Sequence, residues 1–313
     1  MNPVALHFAS GASLFSGASL LLLAAALSPW ARSRWSRGTR NAAGYVALAL
    51  VLGSAPPWPA WFITAYGAAC AIWLLAEESA RVRWLAGIRV PRVAIIGLTI
   101  LLVSIEFPHT RRPRIPPGQA QRLYVIGDSI SAGMGDDARA WPTVLGTAAG
   151  IPVTNLAMDG ATVADGLSQA LRVTETRAVV LVEIGGNDLL SGLPVRDFAA
   201  RLEALLASLR RPGRTIVMME LPCLPFSFGY ERAQRELASA YEIHLIPKRF
   251  FARVLGAPGA TTDGLHLSVA GARLMADTIF SIIGTAFGGE AHSAILGVTR
   301  VDGRWARSAR WHA

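Results

Sequence analysis

The sequence predicts a three-layer α/β/α domain built on a five-stranded parallel sheet and preceded by an all-α transmembrane region of about four helices. Residues 1–108 consist mainly of long apolar runs, whereas from Arg122 onward short β-rich runs alternate with helical patterns. Such alternation predicts βαβ units with helices on both faces of the sheet. Only 16% of the 313 residues are charged, against about 25% in soluble proteins. We therefore expect neither a wholly soluble nor a disordered chain.

The first apolar run predicts a transmembrane helix over residues 8–30. No Lys, Arg, Asp or Glu precedes Arg32, and about 20 apolar residues suffice to cross a bilayer. A cleaved signal peptide is the alternative, but it requires a positively charged beginning, which residues 1–10 lack. We expect the helix to be retained.

The next uncharged run, residues 41–76, is interrupted by three prolines between Pro56 and Pro59. Proline ends a helix because it removes an N–H donor and clashes with the previous turn. The run therefore predicts two short spans, over residues 41–55 and 60–76, or a re-entrant pair. Either arrangement returns the chain to the side it left. A last span over residues 88–107 is expected if Arg89 and Arg92 extend to the interface.

The net charge of +9 is unevenly distributed. Residues 1–120 contain 11 arginines and 3 acidic residues, a net charge of +8, whereas residues 121–285 carry −1 and residues 286–313 carry +2. A nucleic-acid-binding domain would have its own basic face, so the charge argues against that class.

Eight arginines, at positions 32–40 and 81–92, form two clusters that flank the predicted spans. The positive-inside rule places both clusters in the cytoplasm of an inner-membrane protein. The N-terminus and everything after the last span are then extracytoplasmic. Arg111, Arg112 and Arg114 argue for the opposite orientation but are fewer.

The soluble part is predicted to begin after a stiff, proline-rich linker, residues 109–121. The domain then covers residues 122–287, and residues 288–313 form a basic tail. The tail contains Asp302-Gly303, a hairpin signal, although a disordered end is the expectation we favour. The predicted strands are residues 123–126, 153–156, 178–184, 215–220 and 244–246, and the predicted helices are residues 140–149, 163–172, 195–211, 230–241 and 269–287.

The two cysteines, Cys70 and Cys223, are too few for a disulfide framework or a metal site. We expect neither a metal nor a cofactor.

Polar residues follow the predicted strands at the points where the strands end. They are residues 127–129, 159–160, 185–188 and 263–266. Ligands of parallel α/β sheets bind beyond the carboxyl ends of the strands. A serine at such a turn can act as a nucleophile if a histidine accepts its proton and an aspartate orients the histidine.

These residues resemble the four blocks of the SGNH (GDSL) hydrolases. The blocks are Gly127-Asp128-Ser129, Gly160, Gly185-Gly186-Asn187-Asp188 and Asp263-x-x-His266, in that order, within residues 122–285. The sequence around the first and third blocks is most similar to the bacterial thioesterase I, lysophospholipase and arylesterase group. The resemblance implies a flavodoxin-like SGNH fold.

The resemblance also implies roles for five residues. Ser129 is the nucleophile, His266 the general base and Asp263 its orienting partner. The oxyanion hole consists of the N–H groups of Ser129 and Gly160 and the side-chain amide of Asn187. Asp188 is expected to be structural. An α/β-hydrolase is disfavoured, because residues 127–131 do not read G-x-S-x-G.

The expected function is a membrane-anchored serine esterase that forms an acyl-Ser129 intermediate. Its substrate would be a lysophospholipid or other acyl lipid, or an O-acetyl group on envelope glycan. The alternatives are an O-acyltransferase that uses the same triad and a non-catalytic membrane scaffold or sensor. Membrane lipid is an expected partner, whereas nucleic acid and an obligate protein partner are not.

Overall fold

The computed structural model describes residues 2–31, 33–54, 57–78, 89–134, 139–223, 225, 227–288, 298–301 and 304–307. The chain divides into two compact units. The first comprises residues 2–111 together with 222–232, and the second comprises residues 112–221 and 233–313 with Met1.

The first unit is helical. Its α-helices are α1 (Pro3–Ala9), α2 (Ala12–Leu27), α3 (Arg34–Gly53), α4 (Ala60–Glu78) and α5 (Arg89–Glu106). Within the described residues, three helical stretches are long and apolar enough to cross a membrane: Ala12–Trp30, Arg92–Thr110 and Val269–Phe287. Ala60–Ala76 is a shorter apolar helix. Two of the three long stretches coincide with predicted spans, and the third belongs to the second unit.

Two boundaries in this unit differ from the expected ones. The predicted helix over residues 8–30 is interrupted after Ala9, because Gly11 adopts a φ of 76°, outside the helical region. Helix α3 begins at Arg34, where Ser33 caps it by accepting a hydrogen bond from the Ser36 N–H. Arg34, Arg37 and Arg40 therefore lie in its first two turns, not in a loop. Arg32, Arg81 and Arg83 lie outside the described residues.

Helices α2 and α3 pack closely. A Cβ at Gly17 would lie 2.8 Å from the Ala47 carbonyl oxygen, so only glycine allows this approach. Small residues permit such contacts between membrane helices. Tyr66 of α4 and Thr99 of α5 share a buried hydrogen bond of 2.7 Å, which links the last two helices.

The second unit contains a parallel sheet of five strands, as predicted. The strands are β1 (Arg122–Gly127), β2 (Val153–Asn155), β3 (Ala178–Glu183), β4 (Thr215–Met219) and β5 (His244–Ile246). Their order is β2-β1-β3-β4-β5, with every pair parallel. This is the doubly wound order 2-1-3-4-5 of flavodoxin-like folds. The predicted α/β class and the five-stranded parallel sheet are thus confirmed.

Among the described residues, eight α-helices follow β1 along the chain. They are α6 (Ser129–Ala132), α7 (Trp141–Ala149), α8 (Val163–Ala170), α9 (Gly186–Leu190), α10 (Val195–Leu209), α11 (Phe228–Ala240), α12 (Lys248–Leu255) and α13 (Val269–Ile283). The sequence did not predict α6, α9 or α12. Helix α12 is short, but Phe251, Val254 and Leu255 are buried in the core, and this packing supplies the stability that its length does not. Helix α13 also packs into that core.

Residues 112–121 lie against the end of the last helix. Ile115 is buried in the core, and the Ala120 N–H donates to the Ala286 carbonyl at 2.9 Å. Near the C-terminus, β6 (Val298–Val301) pairs antiparallel with β7 (Arg304–Arg307). Over these eight residues the pairing agrees with the hairpin signal of Asp302-Gly303 and not with a disordered end. Residues 289–297, 302–303 and 308–313 lie outside the described part.

Candidate active site

The turn after β1 presents Ser129 at the start of helix α6. Asp128 is the cap of that helix, because its Oδ1 accepts a hydrogen bond from the Ile130 N–H at 3.1 Å. The preceding Gly127 is held by the Gln169 side chain, which donates to its carbonyl at 3.0 Å and accepts from its N–H at 2.9 Å. The backbone on both sides of Ser129 is therefore fixed.

A loop before α13 brings His266 to this turn. The Nε2 atom of His266 lies 3.2 Å from the Ser129 Oγ, and its Nδ1 lies 2.6 Å from the Asp263 Oδ2. The other oxygen of Asp263 accepts hydrogen bonds from the N–H groups of Leu265 and His266, at 2.9 and 2.8 Å. One carboxylate thus orients both the loop and the imidazole ring.

The ionisation state of Asp263 determines which ring nitrogen of His266 carries the hydrogen. Hydrogen bonds from the His266 side chain and from two backbone N–H groups hold the pKa of Asp263 well below its usual value, so the carboxylate is ionised and can only accept. The Nδ1 of His266 must therefore carry the hydrogen. In the neutral ring, Nε2 is then the acceptor that faces the Ser129 hydroxyl.

The other two predicted site residues lie in the segments that follow β2 and β3. Gly160 has a φ of 72°, which glycine adopts without strain, and a Cβ there would meet open space. Asn187 lies in the first turn of α9, and its Nδ2 donates to the carbonyl of Ala161 at 2.9 Å. This bond joins the second and third sequence blocks and uses one of the two N–H groups of the amide.

A buried carboxyl group lies beneath the turn. Glu183, at the end of β3, is 3% exposed and accepts a hydrogen bond from the Ser131 hydroxyl at 2.7 Å. The Trp141 Nε1 donates to the same hydroxyl at 3.0 Å. Burial, reinforced by the nearby Asp128, raises the pKa of Glu183 well above its usual value. Burial also raises the pKa of Asp128, to about 6.

The raised pKa of Asp128 predicts a pH-dependent stability. A carboxyl group with a raised pKa in the folded state stabilises the fold below its unfolded pKa of about 3.9, and this contribution is lost as pH rises through about 6. As pH rises from 4 to 7, the unfolding free energy of Asp128→Asn should therefore increase relative to that of the unchanged protein, by up to about 3 kcal/mol. Thermal unfolding across this pH range measures the difference. Asp197→Asn, at an exposed position, is the control. A difference that does not vary with pH would contradict the prediction.

Four residues that support the site were not predicted as functional: Gln169, Ser131, Glu183 and Gly271. A Cβ at Gly271 would lie 1.9 Å from the Ala260 carbonyl oxygen, so glycine allows α13 to approach the loop that carries His266. Neither Gln169 nor Gly271 belongs to a motif. Of these four residues, only Glu183 has a sequence feature that could have indicated a role, because it is a charged residue within a predicted buried strand.

A metal site is not evident in this part of the chain. Within the residues that the structure describes, no group of three or more His, Cys, Asp or Glu side chains is placed to hold an ion.

Comparison with known proteins places residues 125–274 in a family of ester hydrolases. The sequence model of a family described as "GDSL-like Lipase/Acylhydrolase family" matches residues 125–274. Esterase TesA of Pseudomonas aeruginosa is 31% identical over 166 residues, which cover 48% of this chain and 82% of that protein. An arylesterase of Vibrio mimicus is 29% identical over 161 residues, covering 47% and 80%. A crystal structure of TesA superposes with a TM-score of 0.47 and 27% identity, covering 52% of this chain and 97% of that one.

Proposed function

Since this chain belongs to the GDSL-like lipase/acylhydrolase family and is thus an ester hydrolase, we propose that Ser129, His266 and Asp263 are its catalytic triad. The observation that carries the proposal is the chain of two contacts, 3.2 Å from Ser129 to His266 and 2.6 Å from His266 to Asp263. His266 and Asp263 lie more than 130 residues from Ser129 in sequence, and the fold brings the three side chains together.

The geometry supports acyl transfer through a covalent intermediate. The Ser129 Oγ attacks the ester carbonyl carbon while the Nε2 of His266 takes its proton. The tetrahedral intermediate collapses to acyl-Ser129, and the alcohol leaves with the proton that His266 returns. Water then attacks the acyl-enzyme by the same route and releases the acid. Asp263 stabilises the imidazolium that forms in each half-reaction.

The oxyanion of the tetrahedral intermediate needs hydrogen-bond donors. We assign this role to the N–H groups of Ser129 and Gly160 and the amide of Asn187. The first belongs to the N-terminal turn of α6, and an N–H at that position has no partner within its own helix. The second lies in a loop that no side chain obstructs, because the residue is glycine. The Nδ2 of Asn187 retains one N–H beyond its bond to Ala161.

Replacing Asn187 by alanine should lower kcat about 10²- to 10³-fold, with a smaller change in KM, because an oxyanion donor acts mainly in the transition state. Ser191→Ala is the matched control, since this hydroxyl, one turn further along, donates only to the carbonyl of Asp188 among the described contacts. Steady-state kinetics on a p-nitrophenyl ester test the prediction. An equal loss in both variants would indicate a general disturbance of α9 and argue against the role.

We further propose that the preferred substrates carry an alkyl chain. Three large apolar side chains that are close in sequence to the site residues are exposed to solvent: Met158, Leu190 and Leu265. Met158 lies two residues before Gly160, Leu190 ends α9, and Leu265 is next to His266. Such side chains favour contact with an apolar acyl group, which supports an acyl lipid over an O-acetyl glycan.

Hydrolysis of p-nitrophenyl esters, from acetyl to palmitoyl, by the purified full chain tests activity and substrate together. We expect turnover, a preference for chains longer than acetyl, and covalent labelling of Ser129 by a fluorophosphonate. Folded protein that neither labels nor hydrolyses would favour the scaffold alternative. Transfer of the acyl group to an added acceptor alcohol in place of water would favour the O-acyltransferase.

We also propose that residues 1–108 anchor the enzyme in the inner membrane with both the N-terminus and the hydrolase domain outside the cytoplasm. The proposal is supported by the apolar stretches Ala12–Trp30 and Arg92–Thr110 and by the arginine clusters that flank them. This orientation excludes the cytosolic acyl-CoA pool as a source of substrate.

A reporter that is active only outside the cytoplasm should be active when fused after Phe287. The same reporter fused after Arg40, in the first predicted cytoplasmic segment, should be inactive. Activity of a cytoplasm-only reporter at Phe287 would overturn the proposed orientation. It would show that Arg111, Arg112 and Arg114 determine the topology instead.

A further inference from the structure

A groove runs between α2 and α3 in the helical unit. It has a volume of about 500 Å³, within the range of about 300 to 1,000 Å³ typical of small-molecule sites. One wall is apolar and is formed by four residues of α2: Leu20, Leu23, Ala24 and Leu27. Their spacing places them on one face of the helix, so the stripe is continuous for about 10 Å.

The residues that α3 contributes to the groove are different in character. Ser36, Thr39 and Arg40 line it, close to the end where α2 passes into Trp30. Arg40 is only 6% exposed. Its Nε and one terminal nitrogen donate to the Asn41 Oδ1 at 3.0 and 2.7 Å, and its other terminal nitrogen donates to the Ser28 hydroxyl at 3.2 Å. The guanidinium group is thus held in a defined position beside the groove.

All charged residues of the α2–α3 segment are positive. Residues 12–53 contain four arginines and no acidic residue. Three of the arginines lie in the first two turns of α3, at the same end of the groove as Trp30. The groove therefore combines an apolar length with a positive end. Basic pockets of this kind between transmembrane helices bind anionic lipid headgroups.

We propose that the α2–α3 groove is a binding site for an anionic phospholipid, with an acyl chain along the leucines of α2 and the phosphate near Arg40. The site is separate from the triad and takes a lipid as a ligand, not as a substrate. The proposal rests on the membrane location proposed above but not on the esterase activity.

Native mass spectrometry of the full chain in detergent, with ether-linked lipids that an esterase cannot cleave, tests the site. We expect a single molecule of diether phosphatidylglycerol to bind per chain, at least ten-fold more tightly than diether phosphatidylcholine. Arg40→Gln should reduce this ratio to near one. Arg34→Gln, an exposed arginine of the same helix that does not line the groove, should leave the ratio unchanged.

A second variant leaves the polar cluster of Arg40, Asn41 and Ser28 intact. Ala43 also lines the groove. Ala43→Leu should fill the groove and weaken the binding of both lipids at least ten-fold. The proposal is overturned if the unchanged protein binds both lipids equally, if Arg34→Gln lowers the ratio as much as Arg40→Gln, or if Ala43→Leu binds normally. It is also overturned if glycerol phosphate without acyl chains binds as tightly as the lipid.

The membrane location is measured separately, by retention of the chain in membranes after an alkaline carbonate wash. Loss of the chain in that wash contradicts the anchoring itself. Retention without lipid selectivity contradicts only the groove.

Discussion

Ser129→Ala should lower kcat for p-nitrophenyl ester hydrolysis by about 10⁴- to 10⁶-fold, because the acyl-enzyme can no longer form. Among the described contacts, the Ser129 side chain makes one hydrogen bond, the partly buried one to His266, so the melting temperature should change little. Activity and thermal unfolding of the same preparation measure the two effects.

The neighbouring serine provides the matched control. The Ser131 hydroxyl points away from the site, into the bonds with Glu183 and Trp141. Ser131→Ala leaves these two buried groups without their shared partner, which should cost about 1 to 3 kcal/mol of stability. Below its melting temperature this variant should retain most of the activity. Substantial turnover by Ser129→Ala, or an equal loss of activity in both variants, would contradict the assignment of the nucleophile.

Arg235→Met should destabilise the hydrolase domain by about 3 to 5 kcal/mol. The Nε of Arg235, on α11, donates to the Glu220 Oε1 at 2.6 Å, and the two side chains are 9% and 1% exposed. The other oxygen of Glu220 accepts from the Lys248 N–H at 3.0 Å. Without the guanidinium group, the carboxylate after β4 remains buried and uncompensated. For a domain of this size the loss corresponds to about 6 to 20 °C in Tm.

An exposed ion pair serves as the comparison. Arg210 and Glu242 are 3.8 Å apart, with side chains 55% and 86% exposed, and Arg210→Met should cost less than about 1 kcal/mol. The double variant Glu220→Gln, Arg235→Met should recover part of the stability, because the buried negative charge is removed together with its partner. Thermal unfolding, monitored by loss of activity, measures the stability of the two single variants and of the double variant. Equal losses for Arg235→Met and Arg210→Met would show that burial does not determine the strength of this pair.

Local patterns in the amino-acid sequence predict the parallel α/β domain, its five strands and the order of the four polar blocks. The reason is that periodicity and turn chemistry are local properties: a run such as residues 178–182 is apolar throughout because both faces of a parallel strand are buried. The site residues were predictable for a similar reason, since strand ends meet at one edge of the sheet. The resemblance to known blocks then assigned a role to each residue.

The contacts that hold these residues in place form only when distant segments of the chain pack together. The Gln169 side chain bonds to Gly127 across 42 residues, and Glu183 bonds to Ser131 across 52; no local pattern encodes contacts of such separation. Helix α12 was missed because its stability comes from packing, not from length or periodicity. The groove beside Arg40 likewise exists only once α3 packs against α2, because in the sequence Arg40 is one of several arginines with the same local surroundings.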